Sequence, residues 1–336
     1  MNPPSPSASP DASAATGLLA KAQARGFRLT TGLSLLVIFI TMCVVFSLLS
    51  PYFLTVDNFV NITKTLPVVG IIAIGETLVL LSGGVDLSVG SVAALSGVVT
   101  GLFWEQAGVP IWIAALLGLA TAGLIGLVNG LLVTRVNINP LISTLATFSA
   151  VRGLAFVLTN AQMNQLTHPQ FQLIGRGDVV GIPVPFIIML GLYALFIFIL
   201  RKTPFGRDLY AIGGNPMASR LAGIPTRRYL LIVFILSGIL AGVGGLVQAS
   251  QLAAGAPQAA TGMEFSVIAA VVLGGTSLAG GKGTLVGSLI GVFILRTLDN
   301  GLILTNVSSY YQEVARGTVL ILAVGFDQLR TRWGSR

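Results

Sequence analysis

Residues 201–228 read RKTPFGRDLYAIGGNPMASRLAGIPTRR, a polar and basic stretch set between two apolar runs of helix length, 183–200 and 229–249. It carries Arg201, Lys202, Arg207, Arg220, Arg227 and Arg228, six of the 19 basic residues in a chain of 336. Runs of roughly 20 apolar residues read as membrane-spanning helices, so this stretch joins two spans. Loops rich in Lys and Arg stay on the cytoplasmic side of a membrane. The stretch therefore fixes which side is which, and it offers a soluble partner a place to dock.

Composition agrees. The chain is 54% hydrophobic and only 9% charged, with a mean hydropathy of +0.89. A soluble domain of this length needs far more surface charge. The net charge of +8 is accounted for by cytoplasmic loops, and no soluble region exists to bind nucleic acid. Cys43 is the single cysteine, which rules out an internal disulfide and a cysteine-based metal site. No Ser/His/Asp set and no histidine cluster supports hydrolytic chemistry, and His168 is a lone, solvated loop residue. The N-terminal 1–30, rich in Pro, Ser and Ala, is expected to be a disordered cytoplasmic tail. The first apolar run, from about Leu33 to Ser50, is too long for a signal-peptide core and stays as a first span.

Ten apolar runs follow one another at 33–50, 66–82, 87–104, 111–134, 140–159, 183–200, 229–249, 264–279, 284–300 and 306–325. The expected fold is all-α, a polytopic transmembrane helix bundle of about ten spans over residues 31–328, with a basic cytoplasmic tail at 329–336. With both termini in the cytoplasm, fourteen basic residues fall inside and two, Lys64 and Arg176, outside, the asymmetry that sets orientation. Charges within spans are rare and either functional or paired. Arg296 with Asp299, and Glu313 with Arg316, each lie three apart on one helical face and read as ion pairs. Glu76 has no partner in its own helix and faces either a water-filled path or a neighbouring backbone; Arg152 is similar, or snorkels toward a surface.

Two glycine-rich breaks look alike: LSGGVDLSVG at 81–90 and LGGTSLAGGKGT at 273–284. Irregular backbone at membrane depth is tolerated only where protein buries it or water lines it, and broken helices point to a transport site. That makes Glu76, Gly83, Gly84, Asp86, Ser88, Gly274, Gly275, Thr276 and Ser277 candidates for a translocation path. The competing reading is close helix packing through small residues. Asp86, Ser88, Ser277 and Thr284 are also candidate helix caps. The second break is not a phosphate-binding loop: that motif needs Ser or Thr directly after the lysine, and Gly283 follows Lys282.

The motifs SGGVDLSVGSVAALSG (82–97), NPLISTLATFSAVRGLAFVLTN (139–160), TPFGRDLYAIGGNPMASRLAGIP (203–225) and AAVVLGGTSLAGGKGTLVGSLIGV (269–292) together resemble the membrane permease subunit of bacterial ABC importers of the ribose/xylose/simple-sugar family. The resemblance covers roughly residues 35–325. It implies an inner-membrane location, a second permease subunit in a homodimer, cytosolic ATP-binding cassette subunits, a periplasmic sugar-binding protein, and contact with membrane lipid. No cofactor is implied in this chain, because ATP and Mg bind the partner ATPase; the chain itself is not an enzyme. Such permeases carry an E-A-A-x-x-x-G coupling pattern, which falls here on Met217, Ala218, Ser219 and Gly223. Met217 stands in place of the acid and Ser219 in place of the second alanine. With Arg207, Gly213, Gly214 and Asn215 these form the expected ATPase-coupling site, and a bulky residue at Gly223 is expected to uncouple it. A branched-chain amino-acid permease is the nearest alternative reading, and an ion-coupled secondary transporter a further one.

Overall fold

The computed structural model describes residues 36–334. The expected disordered tail, 1–30, and the last two residues of the basic C-terminal tail lie outside the described residues. The chain divides into two compact units, one up to Val45 and one from Phe46 onward. What is described of the first is the start of helix α1, Leu36–Leu49. The second is built of helices α2 (Val56–Leu81), α3 (Val89–Gly101), α4 (Ile111–Thr134), α5 (Pro140–Thr159), α6 (Pro169–Arg176), α7 (Val184–Lys202), α8 (Pro204–Gly214), α9 (Pro216–Leu221), α10 (Thr226–Leu252), α11 (Met263–Leu273), α12 (Leu285–Leu304) and α13 (Ser309–Gly334). Two short antiparallel pairs complete it: β1 (Asn164–Gln165) with β4 (Ala254–Gly255), and β2 (Asp178–Val179) with β3 (Ile182–Pro183).

Each expected apolar run falls on a helix, and six helices (α2, α4, α5, α7, α10 and α12) are long and apolar enough to cross a membrane. The boundaries move where polar residues find partners. Helix α2 begins ten residues before its apolar run because Thr55 caps it, accepting from Asn58 N at 3.3 Å. The buried Asn58 amide exchanges hydrogen bonds with Asn300 of α12 at 3.0 and 2.7 Å, so a polar first stretch packs inside. Helix α11 is shorter than its run, ending at the glycines of the second break. Helix α3 passes into a π-helical turn at Leu102–Gln106, an arrangement found at functional sites.

Helix α2 is the axis of the second unit: 89% of its apolar window is buried, against 22% for α5 and 28% for α7. A helix apolar all round is a central one. Around it, α4 and α10 pack through small residues. Ala122, Gly126 and Gly130 recur every four residues on the α4 face toward α10, and a Cβ on Gly126 or Gly238 would strike the backbone of the facing helix, while Gly118 meets Ser96 and Thr100 of α3. Such small-residue seams let backbones approach where no hydrophobic force between helices exists.

The two expected ion pairs are one cluster. Asp299 receives Arg296 of its own helix at 3.2 Å and Arg316 of α13 at 3.0 Å, and Arg316 also meets Glu313 at 2.8 Å. The Asp299 side chain is 7% exposed and that of Glu313 is 66% exposed. Asp299→Ala leaves Arg296 without its ion-pair partner and Arg316 with Glu313 alone, and is expected to cost about 3 kcal/mol. Glu313→Ala is expected to cost at most about 1 kcal/mol. Thermal unfolding of the purified variants in detergent measures the difference.

Candidate functional site

Three glycine-rich stretches, distant in sequence, meet at one junction: the first break after α2, the C-terminus of α8, and the second break after α11. Gly281 N donates to Leu81 O at 3.0 Å, closing break against break. Gly213 is wedged between them, since a Cβ there would collide with Leu81 O and stand 2.5 Å from Gly281 N. A Cβ on Gly280 would lie 2.8 Å from Gly213 O and 2.9 Å from the Gly83 Cα. Gly280 and Gly281 hold φ of +88° and +68°, left-handed backbone that glycine alone takes without strain. Tyr210 OH donates to Gly283 O at 2.9 Å and adds a side-chain tie from α8 to the second break.

The 201–228 stretch is thus a folded element bearing on the breaks. Asn215 ends α8 and caps α9, its Oδ1 accepting from Met217 N at 3.1 Å and Ala218 N at 3.0 Å. Helix α9 ends in a paired C-terminal motif in which Ile224 N donates to Ser219 O and Gly223 N to Arg220 O, both at 3.0 Å. That motif requires a left-handed residue after the cap, and Gly223 supplies it at φ +82° with open space around it. Ser219 is buried, while Arg207, Gly214 and Ala218 are exposed. Met217 and Leu221, four apart on one face, are 65% and 85% exposed. In place of the family's acid, the short helix turns an apolar edge outward. The element is fastened to α10 by Arg220 Nε donating to Thr226 Oγ1 at 3.2 Å, by Tyr229 OH donating to Asp208, and by Phe205 stacked on Tyr229 with centroids 5.5 Å apart.

Behind the junction lies a buried polar network. Asp86 accepts from Ser88 N at 2.9 Å, Ser88 Oγ at 2.6 Å and Ser237 Oγ of α10 at 2.8 Å. Ser88 Oγ in turn accepts from Asn129 Nδ2 of α4 at 2.9 Å, and Asn129 Oδ1 accepts from Thr147 of α5 at 2.7 Å. Thr144 of α5 takes the Leu87 N–H at 3.1 Å. Glu76 Oε1 accepts from Asp86 N at 3.3 Å, so of the two readings offered for Glu76 the neighbouring backbone is the partner seen. Its Oε2 has no partner. A second chain runs from Thr77 to Ser288 of α12 at 2.8 Å and on to Thr276 at 3.4 Å.

Most path candidates therefore sit inside the protein. Glu76, Gly84, Asp86, Ser88, Gly274, Thr276 and Ser277 are buried, Gly275 is half-buried and Gly83 is exposed. Capping also differs from expectation. Ser88 occupies the N-cap position before α3, but its hydroxyl turns to Asp86, whose carboxylate takes the Ser88 N–H, and caps no helix N–H. Thr284 caps α12, accepting from Gly287 N at 3.0 Å. Asn129, Ser237, Thr144, Thr147 and Ser288 were missed from sequence; the signal that marks Asn129 and Ser237 is a lone polar residue inside an apolar run. Among the described residues no three His, Cys, Asp or Glu side chains come together as a metal site.

The model of a family described as "Branched-chain amino acid transport system / permease component" matches residues 58–324. The ribose import permease protein RbsC of Bacillus subtilis is 43% identical over 293 residues, covering 86% of this chain and 90% of the relative. The L-arabinose ABC transporter permease protein AraH of Azospirillum brasilense is 40% identical over 333 residues, covering 98% and 96%. The RbsC of Escherichia coli is 41% identical over 297 residues, covering 87% and 92%. No solved structure matches the chain at a significant level.

Proposed function

The chain belongs to this family of ABC-importer permeases, and on that premise we propose that it forms the membrane path for a sugar, a pentose, hexose or similar polyol-like solute. The RbsC and AraH relatives at 40–43% identity are named for ribose import and for L-arabinose ABC transport, which favours sugar over branched-chain amino acids. A permease of this family is a transport subunit of the bacterial inner membrane. Its ATPase lies in a separate cytosolic chain, and an external binding protein delivers its solute. In our reading ten helices span the membrane, α1 to α5, α7 and α10 to α13, with both termini cytoplasmic. Two copies of the chain stand side by side, and the binding protein largely selects the sugar.

The observation that carries the mechanism is the glycine junction. The exposed edge of α9, with Met217 and Leu221, is the face that meets the ATPase by apolar contact. Arg207, Arg227 and Arg228 around it suit carboxylates or lipid phosphates. Movement of the ATPase pushes α8 and α9; Gly213 transmits the push to both breaks at once, because backbone touches backbone there with no side chain to absorb it. The breaks end α2 and α11, so these helices tilt between two packings while the Asp86 network holds α3, α4, α5 and α10 together. Tightly packed elements switch between discrete arrangements instead of deforming gradually. Glu76, Gly83, Gly84, Asp86, Ser88, Gly274, Gly275, Thr276 and Ser277 then serve as the hinge beside the path.

The test is reconstitution. The permease, with a cognate ATPase and binding protein, should take up ribose or L-arabinose into proteoliposomes only with ATP and both partners present. Uptake by the permease alone under a proton or sodium gradient would overturn the ABC reading. Uptake of branched-chain amino acids and of neither sugar would overturn the substrate class.

A further inference from the structure

At the end of the bundle away from the glycine junction, the chain leaves α10 and does not form a helix again until Met263. Residue 255 is level with that end, because β4 pairs with β1 of the connecting segment and a Cβ on Gly255 would stand 3.0 Å from the Val98 Cα. The segment then descends along α3. A Cβ on Gly90 would stand 2.8 Å from Ala260 O and would also strike the Glu264 carboxylate. From Gly97 to Gly90 is seven residues, about 10 Å of helix. Helix α5 provides a second ruler. Arg152 lies seven residues from its far end at Thr159, again about 10 Å, and Arg152 Nη1 donates to Pro257 O and to Ala259 O, both at 2.7 Å.

Non-helical backbone at that depth must be buried in protein or line a wet cavity. Here it is pinned on one side only. The carbonyls flanking Gln258 face the guanidinium, while the Gln258 and Thr261 side chains are exposed. The turn is held in costly conformations at two alanines, with φ of +54° at Ala253 and +57° at Ala260, which a fold keeps where the shape is used. Two buried atoms are left without partners, Arg152 Nη2 and Glu264 Oε2. One is a donor and the other an acceptor, and Glu264 as a whole is 2% exposed.

We propose that the segment Pro257–Glu264, positioned by Arg152, is a wall of the translocation path and carries a subsite for the hydroxyl groups of the passing solute. This rests on the transport reading above and adds where the solute touches the chain. A neutral polyhydroxylated molecule suits it, since each hydroxyl both donates and accepts. The exposed Gln258 amide and Thr261 hydroxyl provide both kinds of partner, while the unpartnered Arg152 and Glu264 atoms lie buried behind them. Arg152 acts as a positioning residue for the segment.

The test uses the assembled importer in membrane vesicles and the chain's single native thiol. In a Cys43→Ser background, Gln258→Cys is compared with Leu154→Cys, which is exposed on the opposite side of α5 close to the depth of Arg152. A charged, membrane-impermeant thiosulfonate should modify Gln258→Cys at least ~10-fold faster, and millimolar ribose or L-arabinose should slow that reaction. Gln258→Ala should raise KM for uptake with little change in maximal rate. Equal, slow modification of both variants would overturn the wall. Fast modification that neither sugar slows, with Gln258→Ala kinetics unchanged, would overturn the subsite. If the wild-type importer carries neither sugar but the labelling contrast persists, the sugar reading fails while the wall stands.

Discussion

Gly213→Ala is expected to cut import ~10-fold or more, whereas the same change one residue later, at Gly214, is expected to be silent. Both glycines end α8, and alanine is the better helix former at either position by about 1 kcal/mol. Intrinsic propensity therefore favours both variants and cannot separate them. Space does. Around Gly213 an added methyl meets the Leu81 carbonyl and the Gly281 N–H, both backbone atoms that cannot rotate away. Around Gly214 nothing lies within 4 Å. Overpacking a tight site costs about 1–3 kcal/mol, and here it is relieved only by pushing α8 off the breaks. If the cost falls on the transmitting contact, uptake drops ~10-fold or more. Uptake in proteoliposomes, paired with stimulation of the ATPase by loaded binding protein, is the measurement. Inserted Gly213→Ala that hydrolyses ATP but does not import would place the fault in coupling. Import at the wild-type rate would show that the junction transmits nothing.

What sequence could and could not reveal divides along a physical line. The helices were legible because span length and charge asymmetry are local properties; α4, α5, α7 and α10 follow their apolar runs closely. The start of α2 was not legible, since the Asn58 partner is 242 residues away on α12. The two glycine breaks stood out as a pair and read as one translocation path, whereas the 201–228 stretch read as a separate coupling site. Their meeting at Gly213 is a backbone contact between segments far apart in sequence, for which glycine signals only that something comes close. The pairs Arg296–Asp299 and Glu313–Arg316 were visible at helical spacing, but not the Arg316–Asp299 bridge that joins them, which depends on how α12 and α13 pack. Asn129 and Ser237 were passed over because a single polar residue in an apolar run has many uses. Only the position of Asp86 between α4 and α10 gives them one.

Asp86→Ala is expected to be the most destabilising single change in the described network, and Asp86→Asn among the mildest. The alanine variant removes the acceptor for Ser88 N, Ser88 Oγ and Ser237 Oγ where all three residues are at most 1% exposed. No water replaces it, so each donor bears a desolvation cost of about 1–3 kcal/mol. Together these amount to about 3–5 kcal/mol once Ser88 turns to other acceptors, a large share of typical net stability. Asparagine keeps the shape. Its Oδ1 still accepts from Ser88, and its amide donates to Ser237 Oγ, because a hydroxyl accepts as readily as it donates. Ser237→Ala, which deletes one bond, should cost about 1 kcal/mol. The unfolding midpoint of purified protein in detergent should fall by roughly 6 °C or more for Asp86→Ala, by much less for Ser237→Ala, and hardly at all for Asp86→Asn. The contrast also separates two roles for the carboxylate. A scaffold residue loses stability and transport together in the alanine variant and keeps both in the asparagine variant. A residue whose charge takes part in the transport cycle loses transport in both while Asp86→Asn melts like wild type, and that result would move Asp86 from the hinge to the path.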